Sequence, residues 1–228
     1  MHEYVTACAS HDNAARTRRL LDRIVVHKEA HARFVNTLAR LEYVGVRKIL
    51  KSRRSEHLAI DGLQHILDEA VHALRLKKAA VALAGGAGGG SHNVQTFADD
   101  ATLAGDAGEG YLQALDRRAE EALLDLPSAA RAEANYHLTS AAVEVRAQVF
   151  YPIYDQCLQA NGVGFSVAAI SKDEDRHLEE MAAGLERTLP EWRRRLEAVL
   201  AAEEALFTRF LAAVEAALPE AHGAVSNA

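Results

Sequence analysis

Two copies of the pattern D-E-x-x-H constrain this chain more than any other feature: Asp68-Glu69-Ala70-Val71-His72 and Asp173-Glu174-Asp175-Arg176-His177. In a helix, positions i and i+3 lie on one face, so Glu69 and His72 can grip one metal ion together, as can Glu174 and His177. One further glutamate lies upstream of each copy on its own helical stretch: Glu42, twenty-seven residues before Glu69, and Glu144, thirty before Glu174. Four carboxylates and two imidazoles in the order E…ExxH…E…ExxH are a ligand set for two metal ions between the facing helices of a four-helix bundle.

A single ExxH is a weak signal, because about one match arises by accident in a chain of this composition. Two copies with Asp before the Glu are far rarer, and the upstream glutamates add a geometric test. A turn near Arg53-Arg54-Ser55 leaves roughly 20 Å of helix to Glu42 and to Glu69 alike, at about 1.5 Å per residue. A turn near Asn161-Gly162 does the same for Glu144 and Glu174. Buried glutamates are costly unless paired or bound to metal, and two ferrous ions would neutralise four carboxylates. The expected grouping is Glu42, Glu69 and His72 on one side and Glu144, Glu174 and His177 on the other, with Glu69 and Glu174 bridging.

The 228 residues suffice for a substantial core and are read as one domain, 1–228, with bundle helices over about 13–188 and a flanking C-terminal helix over about 190–218. Ala, Leu, Glu and Arg dominate, which favours an all-α fold. A formal net charge of −6 gives no reason to expect nucleic acid. Apolar runs are short and broken by Arg and Glu, so no membrane span is expected. Met1-His2-Glu3-Tyr4 does not begin an export signal, and a cytoplasmic location is expected. Cys8 and Cys157 form neither a metal pair nor a disulfide framework; Cys8 reads as a loose N-terminal thiol and Cys157 as a helix-packing residue.

Helix A is expected from about Asn13 to Lys51, with a possible break. Helix B follows, ending near Leu83, with Leu58, Leu63, Ile66, Ala70, Ala73 and Leu74 on its buried face. The run Ala84-Gly85-Gly86-Ala87-Gly88-Gly89-Gly90-Ser91 stops it and reads as a flexible loop. A long crossover with a helix over Gly110 to Leu124 leads to helix C, which starts after Asp125-Leu126-Pro127, with Asp125 as its cap and Pro127 in the first turn, and is expected to kink near Pro152. Helix D spans about Gly164 to Thr188. Ser171-Lys172-Asp173-Glu174 also has the form of a capping box, which would start that helix at Ser171 and make Glu174 a capping residue. A fifth helix, Pro190 to Leu218, carries an apolar stripe.

From Glu42 through His177 the chain resembles the ferritin-like di-iron carboxylate superfamily, whose bundle has a long B–C crossover. The D-E-x-x-H form, with Arg176 giving D-E-x-R-H in the second copy, is most similar to di-iron oxygenases and desaturases. The resemblance implies that Asp68 and Asp173 each support a ligand histidine, fixing its tautomer. It departs in lacking a Thr one turn after Glu144, where Ala147 and Gln148 stand, and in lacking a four-Cys rubredoxin-type module. His65, one turn before Glu69, is a candidate extra ligand or pocket residue. His137, Gln148 and Tyr151 are candidate pocket residues, while His27 and His31 read as surface histidines.

The resemblance implies an O2-activating di-iron oxidase or oxygenase, with two iron ions (manganese or a mixed Mn/Fe pair being alternatives), a small organic substrate and an electron-donor protein. Small or apolar positions near the site, including Leu38, Gly45, Ala141 and Ile170, suit an organic substrate. The alternatives are a ferroxidase or rubrerythrin-like peroxidase, a di-manganese catalase, and a non-enzymatic helical dimerisation module. A homodimer is expected, with no nucleic-acid or membrane partner.

Overall fold

The computed structural model describes residues 1–52, 58–85 and 94–219. The turn expected at Arg53-Arg54-Ser55 and the glycine run from Gly86 to Ser91 lie outside the described residues. The described residues form α1 (His2–Ala9), α2 (Asp12–Val25), α3 (Lys28–Ser52), α4 (Ile60–Leu83), α5 (Ala107–Glu121), α6 (Ser128–Ala160), α7 (Ala168–Thr188) and α8 (Trp192–Ala216), with a 3-10 turn at Asp99–Ala101. The fold is all-α. No helix among the described residues is long and apolar enough to cross a membrane.

Two hairpins, α3–α4 and α6–α7, make the most extensive helix pairings, and α4 meets α7 while α3 meets α6. A segment with α5 at its centre joins α4 to α6, and α5 packs against α8, α6 and α3. Its anchoring is polar. The Asn36 side chain donates to the Ala101 carbonyl at 2.7 Å, and Thr37 Oγ1 donates to the Leu103 carbonyl at 3.0 Å. Lys77 donates to the Val94 and Thr96 carbonyls at 2.9 and 2.8 Å, with its ammonium 3.9 Å from the Phe97 ring centre.

Several local expectations are corrected. The stretch expected as one broken helix A is two helices, α2 and α3, separated at Val26 and His27. The amino terminus is helical: α1 packs on α6 and buries Tyr4 and Cys8, so Cys8 is not a loose thiol. His31 is buried and not a surface residue, with Nε2 2.7 Å from the Tyr154 hydroxyl. α7 begins at Ala168, where Asp155 caps the chain by accepting from the Val167 amide at 2.9 Å and from Ser166 Oγ at 2.6 Å. Ser171 therefore lies inside the first turn and Glu174 one turn later, and the capping-box reading fails. Asp125 does not cap α6; it forms a two-pronged pair with Arg195 of α8.

The largest correction concerns α4. Its buried residues are Gly62, His65, Glu69, His72, Leu76 and Ala80. Ala70 is exposed, and Ile60, Leu63, Leu67 and Leu74 point outward, all more than half exposed. The helix is turned so that its functional polar side chains, rather than its leucines, face the bundle.

At the far end of the α6–α7 hairpin, a Cβ on Gly184 would lie 2.4 Å from the His137 ring. Gly184→Ala is therefore expected to destabilise the protein by about 1–3 kcal/mol through overpacking. Urea unfolding checks this, and an unchanged midpoint would mean that His137 moves aside at no cost.

Candidate metal centre

Each hairpin contributes one D-E-x-x-H helix and one helix with a single glutamate. Glu42 comes from α3; His65, Glu69 and His72 from α4; Glu144 from α6; Glu174 and His177 from α7. The spacing of 65, 69 and 72 stacks three donors on one face of α4. All seven side chains are buried, none more than 9% exposed. The six residues of the paired pattern thus converge in space, and His65 joins them.

The donor atoms form two groups that could each hold a metal ion: Glu42, Glu69, His72 and Glu174, and His65, Glu69, Glu144 and His177. Within each group the atoms lie within 4.8 Å of one another, and Glu69 belongs to both. His72 Nδ1 is 3.3 Å from Glu174 Oε1 and 3.7 Å from Glu42 Oε2. His177 Nδ1 is 2.7 Å from Glu174 Oε2, 3.7 Å from Glu69 Oε1 and 3.9 Å from Glu144 Oε1.

The two aspartates act across the bundle. Asp173, beside Glu174, lies 3.1 Å from Nε2 of His72 on the other hairpin. Asp68, beside Glu69, lies 3.4 Å from Nε2 of His177. At His72 such a contact holds the N–H on the outer ring nitrogen and turns Nδ1 inward, toward the carboxylates. His177 Nε2 also meets Arg176 Nη2 at 3.2 Å, and its Nδ1 stands 2.7 Å from Glu174 Oε2 in the metal-free cluster. Asp68 is itself held by Gln64, which donates at 2.8 Å, and by Arg176. Buried polar atoms are nearly always hydrogen-bonded, yet His72 Nδ1 is fully buried and has no hydrogen-bond partner among the described residues. A donor atom aimed at three carboxylates without bonding to any is what an ion-binding position requires.

Burial raises the pKa values of Glu69 and Glu144 well above the usual carboxylate range, and the charges of neighbouring carboxylates add to it. Burial also opposes ionisation of Glu174, but the His177 and His72 imidazoles outweigh it and hold that carboxyl low. At His72 burial disfavours the charged ring, but the facing Glu174 and Glu42 carboxylates push its pKa up to about 11. Burial pushes His65 down to about 3, leaving it neutral. The metal-free cluster therefore shares protons among its carboxylates and His72 instead of exposing four bare charges.

Two residues shape the carboxylate side. Tyr151 donates its hydroxyl hydrogen bond to Glu42 Oε1. Gly45 faces Glu69 so closely that a Cβ there would lie 2.5 Å from Oε2. Gly45→Ala must displace Glu69, and it is expected to weaken metal binding about 10–100-fold, the loss typical of disturbing a ligand's support. Competition with a chelator measures this; wild-type affinity in the variant would show that Glu69 has room to retreat.

A cavity of about 790 Å³ opens between α3, α5, α6 and α8, with apolar walls that include Leu38, Val143, Phe150 and Phe207. Glu42, His65, Glu69, Glu144 and Glu174 border it, as does Tyr151. Of the other candidate pocket residues, Gln148 turns away to donate to the Ser171 carbonyl at 3.2 Å. His137 packs against Gly184 and Thr188 of α7. Neither borders the cavity. The sequence reading did not single out Tyr136, whose oxygen is 2.8 Å from His65 Nδ1; no spacing rule connects the two residues.

Comparison of the chain with protein-family models, with curated proteins and with solved structures finds no match.

Proposed function

We propose that this chain is an O2-activating oxidase or oxygenase of the ferritin-like di-iron carboxylate kind, acting on a small organic substrate. The observation that carries this reading is the pair of buried four-donor groups meeting at Glu69, placed beside an apolar cavity. The residues fit the ions: His72 Nδ1 is an orphaned buried donor, Gly45 leaves Glu69 room, and mixed imidazole and carboxylate donors suit iron or manganese. Glu42, Glu69, His72, Glu144, Glu174 and His177 would hold two irons.

When bound, the metal pair supplies O2 binding and redox chemistry that side chains cannot. The protein does the rest. Asp173 and Asp68 orient the imidazoles, while the helix walls exclude bulk water. Leu38, Val143 and Phe150 offer an apolar substrate a surface beside the site. Tyr151 holds a proton on the Glu42 carboxylate edge of the cavity. Electrons come from a separate donor protein. The connection through α5 is the B–C crossover of such a bundle, and α8 is its additional C-terminal helix.

The test is metal content by plasma mass spectrometry on protein purified without chelator, wild type beside a Glu69→Ala/His177→Ala double variant. About two irons per chain, lost in the variant, support the reading, and O2 uptake that depends on an added organic compound then separates an oxygenase from a ferroxidase. Manganese with O2 evolution from peroxide redirects it to a catalase. No metal in the wild type after anaerobic Fe(II) loading overturns it.

A further inference from the structure

We infer that His65 is a seventh ligand, making the two metal positions chemically unlike, with two imidazoles at one and a single imidazole at the other. The inference rests on the di-metal reading above and deepens it.

Three observations carry it. His65 Nε2 lies 3.4 Å from Glu69 Oε1 and 3.7 Å from Glu144 Oε1. Charge-assisted hydrogen bonds are shorter, about 2.7–2.9 Å, whereas two donors each about 2.1 Å from one ion sit roughly 3.0–3.4 Å apart; the Glu69 contact meets that spacing and the Glu144 contact is slightly longer. The outer nitrogen, Nδ1, is 2.8 Å from the Tyr136 oxygen. A proton on Nδ1, donated to Tyr136, would leave the Nε2 lone pair facing the carboxylates, the arrangement that Asp173 favours at His72. Finally, the His65 and His177 rings lie side by side, centres 4.0 Å apart and planes 27° apart, so both present a nitrogen to the same carboxylates.

The second hairpin has no counterpart. The residue one turn before Glu174 is Ile170, which is buried in the apolar core. The position bounded by His65, Glu69, Glu144 and His177 is thus nitrogen-rich, and that bounded by Glu42, Glu69, His72 and Glu174 is carboxylate-rich. Imidazole ligands favour the later divalent first-row metals over manganese. The nitrogen-rich position should therefore fill first with Co(II), and the two ions should bind in separate steps.

The test uses Co(II), added anaerobically to the metal-free full chain and followed by visible absorption and equilibrium dialysis. Two steps are expected in wild type. His65→Gln should weaken the tighter step at least about tenfold and change its spectrum, leaving the other step in place. Tyr136→Phe should weaken the same step by a smaller factor.

A second measurement needs no variant. In the Co(II)-loaded wild type, hyperfine-shifted exchangeable imidazole N–H signals in the proton NMR spectrum count the ligand histidines. Three signals support the seventh ligand. Two signals, or His65→Gln titrating like wild type, overturn it while leaving the di-metal reading intact. Wild type that binds no Co(II) overturns both.

Discussion

Metal uptake by the metal-free protein is expected to release about three protons per pair of ions, one each from Glu69, Glu144 and His72, because ligands must bind deprotonated. Each displaced proton multiplies the pH dependence by ten, so affinity for the pair falls roughly a thousandfold per pH unit on acidification while all three groups remain protonated in the metal-free state. His65 contributes nothing, since burial already keeps it neutral above about pH 3.

The same shifts set the stability of the metal-free protein. Glu69 and Glu144 have raised folded-state values, so their contribution is complete below the unfolded carboxyl range, about pH 4.5, and is lost as pH rises through the raised values. Glu174 works in the opposite direction: its depressed folded-state value supplies stability above that range, lost as pH falls through it. Glu174 acts only below about pH 4.5, and up to about pH 6.5 the loss from Glu69 and Glu144 is offset by His65 and His31, which are neutral when folded and protonated when unfolded. Metal-free stability should therefore decline above about pH 6.5, where the histidine gain ends and His72, raised to about 11, adds to the loss, and Glu69→Gln should flatten that decline. An indicator dye in weak buffer counts the protons, and urea unfolding across pH follows the stability. Uptake with no proton release would mean that the cluster is already ionised and that its charge is met in some other way.

The second large effect lies outside the metal cluster. Arg146 of α6 is buried against α8, where it donates from Nε and Nη2 to the two oxygens of Glu203 at 2.9 and 2.8 Å. Its Nη2 also reaches Glu204 at 2.7 Å, and its guanidinium stacks 4.2 Å from the Phe207 ring centre. Tyr111 of α5 donates to Glu203 at 2.7 Å, so a single carboxylate ties three helices together. Arg146→Ala strands Glu203, which is 1% exposed, without its counter-charge. Breaking a buried pair from one side costs about 3–5 kcal/mol.

The Arg146→Met/Glu203→Leu double variant removes both charges and should recover most of that loss, because paired burial itself carries a desolvation penalty. Denaturant unfolding of the single and double variants decides between these. A double variant as unstable as the single would show that shape and the Tyr111 bond, rather than the uncompensated charge, set the cost.

What the sequence made legible was local. The i, i+3 spacing of Glu and His, and equal helix lengths around each turn, are properties of single helices and hairpins, and those residues do converge. The rotation of α4 was misread because apolar periodicity was taken to mark the buried face. In this helix the inward stripe is His65, Glu69 and His72, and Leu63, Leu67 and Leu74 face out. An apolar pattern cannot report a face that is buried for the sake of its polar groups.

α1 was missed because a short amino-terminal helix gains stability only by packing on α6, a contact with no local signature. His31 was misread for the same reason, since its partner Tyr154 lies 123 residues away. The Asp positions could be paired with histidines in principle, but which Asp braces which His depends on how the hairpins cross, which no spacing encodes.

That crossing has a genetic consequence. His177 is braced by Asp68, 109 positions earlier, and His72 by Asp173, 101 positions later. Each motif carries the support of the other motif's ligand, so neither half can drift independently. Substitutions should be non-additive in the pairs 68 with 177 and 72 with 173, and close to additive in the pairs 68 with 72 and 173 with 177. Within the metal cluster, the strongest epistasis would then link residues of different hairpins, and a tolerated change in one motif would be read most clearly as a compensating change in the other.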